Sequence, residues 1–195
     1  IKEAENPVTS IVLGDINSTS KIVVFLDLNC ISCREYIKNI INFLDINQEA
    51  ALYIRPLGND ERSIEIATWL SALNDQSRSL EFLREISKLP NDQKINTDVA
   101  LKIFKTIEVN NELLKNSLAD GRHMLNVGNN IKIFSDINGT GLPSSLINGV
   151  LYRGLMSSNS LDKELRATLS AKQILEGALP QISIDIIPPD LTKEK

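Results

Sequence analysis

The chain has 195 residues, 42% of them hydrophobic and 24% charged, with 9 glycines and 7 prolines; this is ordinary globular usage and excludes collagen-like, low-complexity and disordered chains. Its net charge of -4 arises from 21 basic and 25 acidic residues with no long basic run, which argues against nucleic acid as a partner, because neutralising phosphates needs clustered lysine and arginine. A chain of this length buries a sizeable core without disulfide staples, and no apolar run approaches the roughly 18 residues that span a bilayer.

The chain begins at Ile1 rather than methionine, as expected of a processed or cut polypeptide, and residues 1–7 are too polar to serve as a signal peptide or anchor. Residues 21–27 (KIVVFLD) form a β-branched, nearly continuous apolar run, the pattern of a strand covered on both faces. Cys30 and Cys33 follow at once as C-x-x-C. Residues 34–44 (REYIKNIINFL) then place Tyr36, Ile37, Ile40, Ile41 and Leu44 on one face of a helix. The cysteines therefore fall at a strand-to-helix junction, with Cys30 near the helix N-terminus. Residues 51–55 (ALYIR), closed by Pro56 and Gly58, read as the next strand, completing a βαβ unit with a right-handed parallel crossover.

Residues 63–126 read as a helical block. Ile64, Ala67, Leu70, Ala72 and Leu73 mark one helix. Residues 80–89, stopped by Pro90, give a second, and residues 97–106, capped by Thr97, a third. Residues 110–125 give a fourth, with a break at Gly121; the pairs Asn110-Asn111 and Asn129-Asn130 read as helix-boundary loops. Trp69 falls on an apolar helix face and is expected in the core, whereas His123 falls at a polar helix end and is expected at the surface or as a cap. Residues 144–147 (SSLI) and 150–153 (VLYR) flank Asn148-Gly149, the strongest local signal for a hairpin. Leu142-Pro143 precedes them, an X-Pro bond of the kind that adopts cis geometry. Residues 161–175 form an amphipathic helix ended by Gly177, and residues 179–195 a tail containing Pro188-Pro189.

Two cysteines are too few for a disulfide scaffold. Structural zinc wants four protein ligands, and only the distant His123 could join the pair, so no metal is expected. No glycine-rich phosphate loop, serine nucleophile elbow or paired-histidine motif occurs. A cysteine at a helix N-terminus faces unpaired N–H groups and the positive end of the helix dipole, which both favour thiolate over thiol. In C-x-x-C the second sulfur lies about one turn on, within bridging reach. Cys30 is thus the candidate attacking sulfur and Cys33 the candidate resolving one, against the alternative of two small core residues. No cofactor is required, since electrons pass directly between sulfurs.

The run Val24-Phe25-Leu26-Asp27-Leu28-Asn29-Cys30-Ile31-Ser32-Cys33-Arg34 resembles the strand and active-site turn of the DsbA-like thioredoxin family, whose strand ends in Phe-x-Asp before C-x-x-C and a basic residue. Residues 53–58 (YIRPLG) resemble that family's following strand. Residues 141–149 (GLPSSLING) resemble its cis-proline loop and hairpin, and Gly154 its glycine after the hairpin. The resemblance covers residues 9–60 and 137–176; the helical block between matches in position and length rather than in motif. It implies an α/β protein, a thioredoxin fold with an inserted helical subdomain. The division is then residues 1–62 for the N-terminal part, 63–130 for the insertion, 131–178 for the C-terminal part and 179–195 for the tail.

The departures are specific. Ile31-Ser32 stand where the family commonly has Pro-His or Pro-Tyr. Val24 stands where many relatives carry a buried acid, and Leu142 where threonine or valine is frequent. The W-C-G-P-C motif of cytosolic thioredoxins is absent. Asp27, on the strand face opposite Val24, is expected to end the strand and neighbours the active site, as do Ile31 and Ser32.

The resemblance implies a bacterial thiol–disulfide oxidoreductase in the periplasm or another extracytoplasmic compartment. Its substrates would be cysteine-containing proteins or peptides, paired in extended form with the backbone of Gly141, Leu142 and Pro143. A membrane redox partner would recycle it, monomer is the default state, and a preceding membrane anchor is left open. Two alternatives stay open: a non-catalytic thioredoxin-like interaction module of an envelope or secretion assembly, with Cys30–Cys33 as a static disulfide, and an enzyme handling a small thiol such as glutathione. The direction of electron flow is not set by the sequence.

Overall fold

A computed structural model describes residues 2–90 and 92–178, with side chains as far as Leu169; the expected tail at 179–195 lies outside the described residues. In chain order the elements are β1 (Ile11–Gly14), β2 (Lys21–Leu26), α1 (Ile31–Ile46), β3 (Ala51–Pro56), α2 (Glu61–Leu73), α3 (Ser79–Lys88), α4 (Thr97–Thr106), α5 (Asn111–Ala119), α6 (Arg122–Asp136), β4 (Ser144–Ile147), β5 (Val150–Arg153) and α7 (Ser158–Ala178). The strands form one sheet in the order β1-β3-β2-β4-β5. β2 and β3 are parallel, with Val24 opposite Ile54, and α1 is their crossover. The other three pairings are antiparallel.

The apolar run of β2 is what a central strand covered on both faces demands. Ile22, Val24 and Leu26 enter a layer with Tyr36, Ile37 and Ile40 of α1, Phe82 of α3 and Leu161 of α7. Val23 and Phe25 alternate to the opposite layer, with Tyr53, Leu146 and Ile133 of α6. Asn148 (φ 45°) and Gly149 (φ 91°) both take positive φ, as a type I′ hairpin requires.

Several expectations need correction. Asn129-Asn130 is no boundary: α6 runs through it, because Asn130 is buried and bonded on both sides. Its amide donates to the Pro56 carbonyl at 3.0 Å and its carbonyl accepts from Arg55 at 2.8 Å, so tertiary pairing overrides the weak helix propensity of asparagine. α4 is capped by Asn96, whose side chain accepts from the Val99 N–H, and not by Thr97. α7 continues past Gly177 to Ala178. His123 is buried rather than exposed. Its Nδ1 lies 3.0 Å from Ser71 Oγ and its Nε2 3.2 Å from Asp75 Oδ2, because α6 starts against the C-terminal end of α2. Trp69 is half-buried and meets Phe104 edge-on, at the margin of the core. The edge strand β1, four residues long and only half covered, has no counterpart in the sequence reading.

Arg55 fixes the start of the chain. It faces the α6 side of the sheet and is 0% exposed. It donates to the carbonyls of Glu3 (2.5 Å), Ala4 (3.0 Å), Asn6 (3.4 Å) and Thr9 (3.4 Å), and to Asn130. Burial lowers its pKa to about 10, so it remains a cation at neutral pH, solvated by a fan of carbonyl dipoles and favoured by the charge of Glu3. Arg55→Met should leave those carbonyls without their donor and lower stability by about 2–4 kcal/mol. Urea unfolding should show a lowered midpoint, and limited proteolysis should cut within residues 2–10; an unchanged midpoint with an uncut N-terminal segment would contradict this role.

Candidate active site

Two hydrogen bonds turn the chain from the end of β2 into α1. The Cys30 N–H donates to the Asp27 carbonyl at 3.0 Å, and the Asn29 N–H donates to Asp27 Oδ1 at 2.8 Å. Cys30 then occupies the N-cap of α1 in extended conformation (φ -80°, ψ 124°), and its sulfur accepts the Cys33 N–H at 3.3 Å. Serine, threonine, aspartate and asparagine are favoured at this position because an oxygen there satisfies an open N–H. A sulfur in the same place is stabilised as the anion, by the donor and by the aligned peptide dipoles behind it.

The two thiols are inequivalent. Cys30 is half-buried, whereas Cys33 is fully buried in the layer beneath α1. The Cys33 thiol donates to Cys30, and with the N–H groups of Cys33 and Ser32 it brings the Cys30 pKa down to about 6, against burial and the charge of Asp27. The same hydrogen bond, with burial behind it, raises the Cys33 pKa. One sulfur is thus poised as the anion and the other holds the proton. Ile31 and Ser32 carry exposed side chains, so the Ser32 N–H, not its hydroxyl, acts on the sulfur.

Asp27 does more than end the strand. It is 5% exposed, burial raises its pKa, and its charge raises the pKa of both cysteines. At Val24, where a carboxyl is common in the family, the facing strand residue is Ser145. Ser145 Oγ lies 2.5 Å from the Tyr36 hydroxyl, one turn beyond Cys33; both residues are buried, and burial pushes the Tyr36 pKa up to about 12. A neutral hydroxyl pair is therefore the buried polar group beneath this part of α1.

The Leu142-Pro143 bond is cis. Its loop is held by the Gly154 N–H to the Pro143 carbonyl at 2.8 Å and by Ser144 Oγ to the Gly141 carbonyl at 2.6 Å. Cys30, Gly141 and Leu142 line one cleft of about 410 Å³, with Leu57, Gly58, Ile131 and Phe134 among its other walls. Of the residues picked from the sequence, the structure brings these three to a common surface and sets Cys33 behind them. Gly58 is required by close approach: a Cβ there would lie 2.4 Å from the Ile64 backbone nitrogen.

Sequence reasoning missed the residues that lock the helical insertion to this site. Asn29 exchanges hydrogen bonds with Ile95, receiving its N–H at 2.9 Å. Arg34, buried on α1, donates to the carbonyls of Pro90 (3.1 Å) and Gln93 (2.6 Å). These partners lie some sixty residues away in the chain, so no local pattern announces them. Among the described residues no group of three or more His, Cys, Asp or Glu is arranged to hold a metal ion, and no helix is long and apolar enough to cross a membrane.

These electrostatics set a pH profile. Alkylation of Cys30 in the reduced protein should rise with pH through a midpoint near 6, against about 8.5 for a free cysteine. Asp27→Asn removes a nearby negative charge and should move that midpoint downward. A wild-type midpoint in the ordinary thiol range, or an upward movement in Asp27→Asn, would contradict the assignment.

Comparison with known proteins agrees with the fold. A family model described as Thioredoxin matches residues 6–167. The thiol-disulfide exchange protein alpha-DsbA2 from Wolbachia pipientis is 20% identical with a TM-score of 0.77, over 85% of this chain and 90% of that one. A thioredoxin-like oxidoreductase from Silicibacter pomeroyi is 19% identical with a TM-score of 0.75, over 88% and 95% of the two chains. The catalytic domain of Proteus mirabilis ScsC is 17% identical with a TM-score of 0.75, over 87% and 94%. No curated protein matches the chain. The fold is DsbA-like, a thioredoxin fold with an inserted helical subdomain between β3 and β4, and the chain belongs to the thioredoxin family.

Proposed function

We propose that this protein is a thiol–disulfide oxidoreductase that exchanges disulfides with cysteine-containing proteins in an extracytoplasmic compartment. The observation that carries the reading is the asymmetric pair: a half-exposed sulfur with a pKa of about 6 at a helix N-cap, backed by a buried thiol that holds its proton. The sulfur opens onto a cleft shared with a cis-proline loop.

The chemistry balances without a cofactor. In the reducing direction, the Cys30 thiolate attacks one sulfur of a substrate disulfide. An S–S bond forms between Cys30 and the substrate, and the second substrate sulfur leaves with the electron pair and takes a proton from solvent. Cys33 then loses its proton and attacks Cys30. The Cys30–Cys33 bond forms, the mixed disulfide breaks, and the substrate departs reduced by two electrons. The oxidising direction is the reverse, beginning with a substrate thiolate attacking Cys30 of the bridged pair. Cys30 is attacked in preference to Cys33 because Cys33 is covered by the core. A low Cys30 pKa stabilises the reduced form and so makes the bridged form the stronger oxidant, which suits a compartment where disulfides persist.

In this reading Leu142 offers its backbone to an extended substrate, with Gly141 leaving the approach open: among the described residues, a Cβ at Gly141 would meet nothing within 4 Å beyond its chain neighbours. A membrane redox partner restores the pair after each turnover, the protein acts as a monomer, and the sequence-based division at 62, 130 and 178 describes its working parts.

Cys30→Ser keeps a capping side chain on α1 and should abolish disulfide exchange with a protein substrate while the thermal melt stays close to wild type. Cys33→Ser should accumulate a mixed disulfide between Cys30 and the substrate, visible by mass under non-reducing conditions. Exchange at the wild-type rate in Cys30→Ser would overturn the proposal.

A further inference from the structure

One wall of the Cys30 cleft, Ile131, belongs to α6. On α6, Met124, Gly128 and Ile131 recur at i, i+4 and i+7 and form one line. The line flanks the buried row His123, Val127 and Asn130. Met124 is 60% exposed and Ile131 is 40% exposed. Ile131 belongs to the Cys30 cleft. Met124, two turns away, lines a second, mainly apolar hollow of about 420 Å³ with Ile64, Trp69 and Leu118, along the seam of α2 and α6. Between them stands Gly128. Glycine weakens a helix interior relative to alanine, yet among the described residues nothing outside the adjoining turns of α6 comes within 4 Å of the place its Cβ would take. The charged groups at the second hollow are Glu61 and Glu65 of α2, so its wall is acidic.

We infer that these two hollows are successive subsites of one track that seats an extended, apolar and basic segment of the substrate running on from its reactive cysteine. This rests on the exchange reading above, since it is the mixed disulfide at Cys30 that delivers the segment to the first subsite. Ile131 lies seven positions beyond Met124 on α6, a rise of roughly 10 Å, which an extended chain covers in about three residues. The recognised segment therefore carries a large apolar residue beside its cysteine and a second about three to four positions further, with lysine or arginine nearby to face Glu61 and Glu65. Large apolar side chains in a row that runs from a reactive sulfur are a contact surface, unlike single apolar side chains scattered over a surface.

The test uses the reduced full chain and two peptides, each joined through its single cysteine to a chromogenic aryl thiol. The long peptide carries leucine beside the cysteine, phenylalanine three positions on and a flanking lysine; the short one is a tripeptide. Attack of the Cys30 thiolate on the peptide sulfur releases the aryl thiolate, which is followed by absorbance. The peptide then leaves as a thiol when Cys33 closes the bridge.

The long peptide should react about tenfold faster than the short one, the gain expected from partly burying a large apolar side chain. Gly128→Trp, which puts a better helix former at an exposed position and keeps the fold, should erase that advantage and leave the short-peptide rate unchanged. Glu65→Lys should slow the lysine peptide and speed its glutamate counterpart. Equal rates for the two peptides in the wild type, or an equal effect of Gly128→Trp on both, would overturn the track while leaving the exchange reading in place. Release from neither peptide would overturn both. A wild-type dimer that Gly128→Trp dissociates would assign the line to self-association and overturn the substrate track.

Discussion

The hydrogen bonds that end on the Cys30 sulfur are the feature on which the rest of the structure bears. A helix of sixteen residues points its open N–H groups at one atom, and the only thiol near enough to share a proton with it lies one turn along the same helix. The consequence is a division of labour between two chemically identical side chains. The outer sulfur is an anion near neutral pH; the inner one is a protonated group sealed from solvent. Neither property belongs to cysteine itself. Each follows from position: one residue caps the helix, and the other falls on its buried face.

Much of the surrounding fold holds that geometry. β2 is fully buried from Ile22 to Leu26, so its end, and with it the turn at Asp27, has little freedom. Asn29 and Arg34 tie the turn and the first turn of α1 to the segment after α3, and in this way the inserted helices brace the site as well as border it. Tyr36 and Ser145 join α1 to β4 just beyond the cis-proline loop, linking the two halves of the site from below. Asp27 works against the anion on Cys30 and so moderates it. With Ile31-Ser32 offering no charged or aromatic group to the sulfur, the backbone and Cys33 carry the stabilisation unaided.

What the sequence disclosed and what it hid follow from the range of the interactions. The unbroken apolar run of β2, the helical spacing after Cys33, the Asn-Gly turn and the Leu-Pro step are local, and each was legible as it stands in the chain. The failures lie where a residue's role depends on a distant partner. Asn130 looks like a loop residue until Arg55, 75 positions earlier, is placed against it. His123 looks like surface until α2 brings Ser71 and Asp75 to its ring. The Leu57, Ile131 and Phe134 walls of the cleft could not be anticipated, since their meeting depends on how α6 crosses the end of β3. The choice of Asn96 over Thr97 as a cap shows the same limit at short range: either side chain can cap, and only the backbone conformation decides.

The most direct test of the account is the equilibrium of the Cys30–Cys33 pair against a graded glutathione redox buffer, read by the fraction alkylated. A pair built this way should show a single two-electron transition at a potential between about -270 and -120 mV, the span of working thioredoxin-fold pairs, with Cys30→Ser showing none. A bridge that stays closed to below about -300 mV would behave as a structural disulfide and would contradict the account.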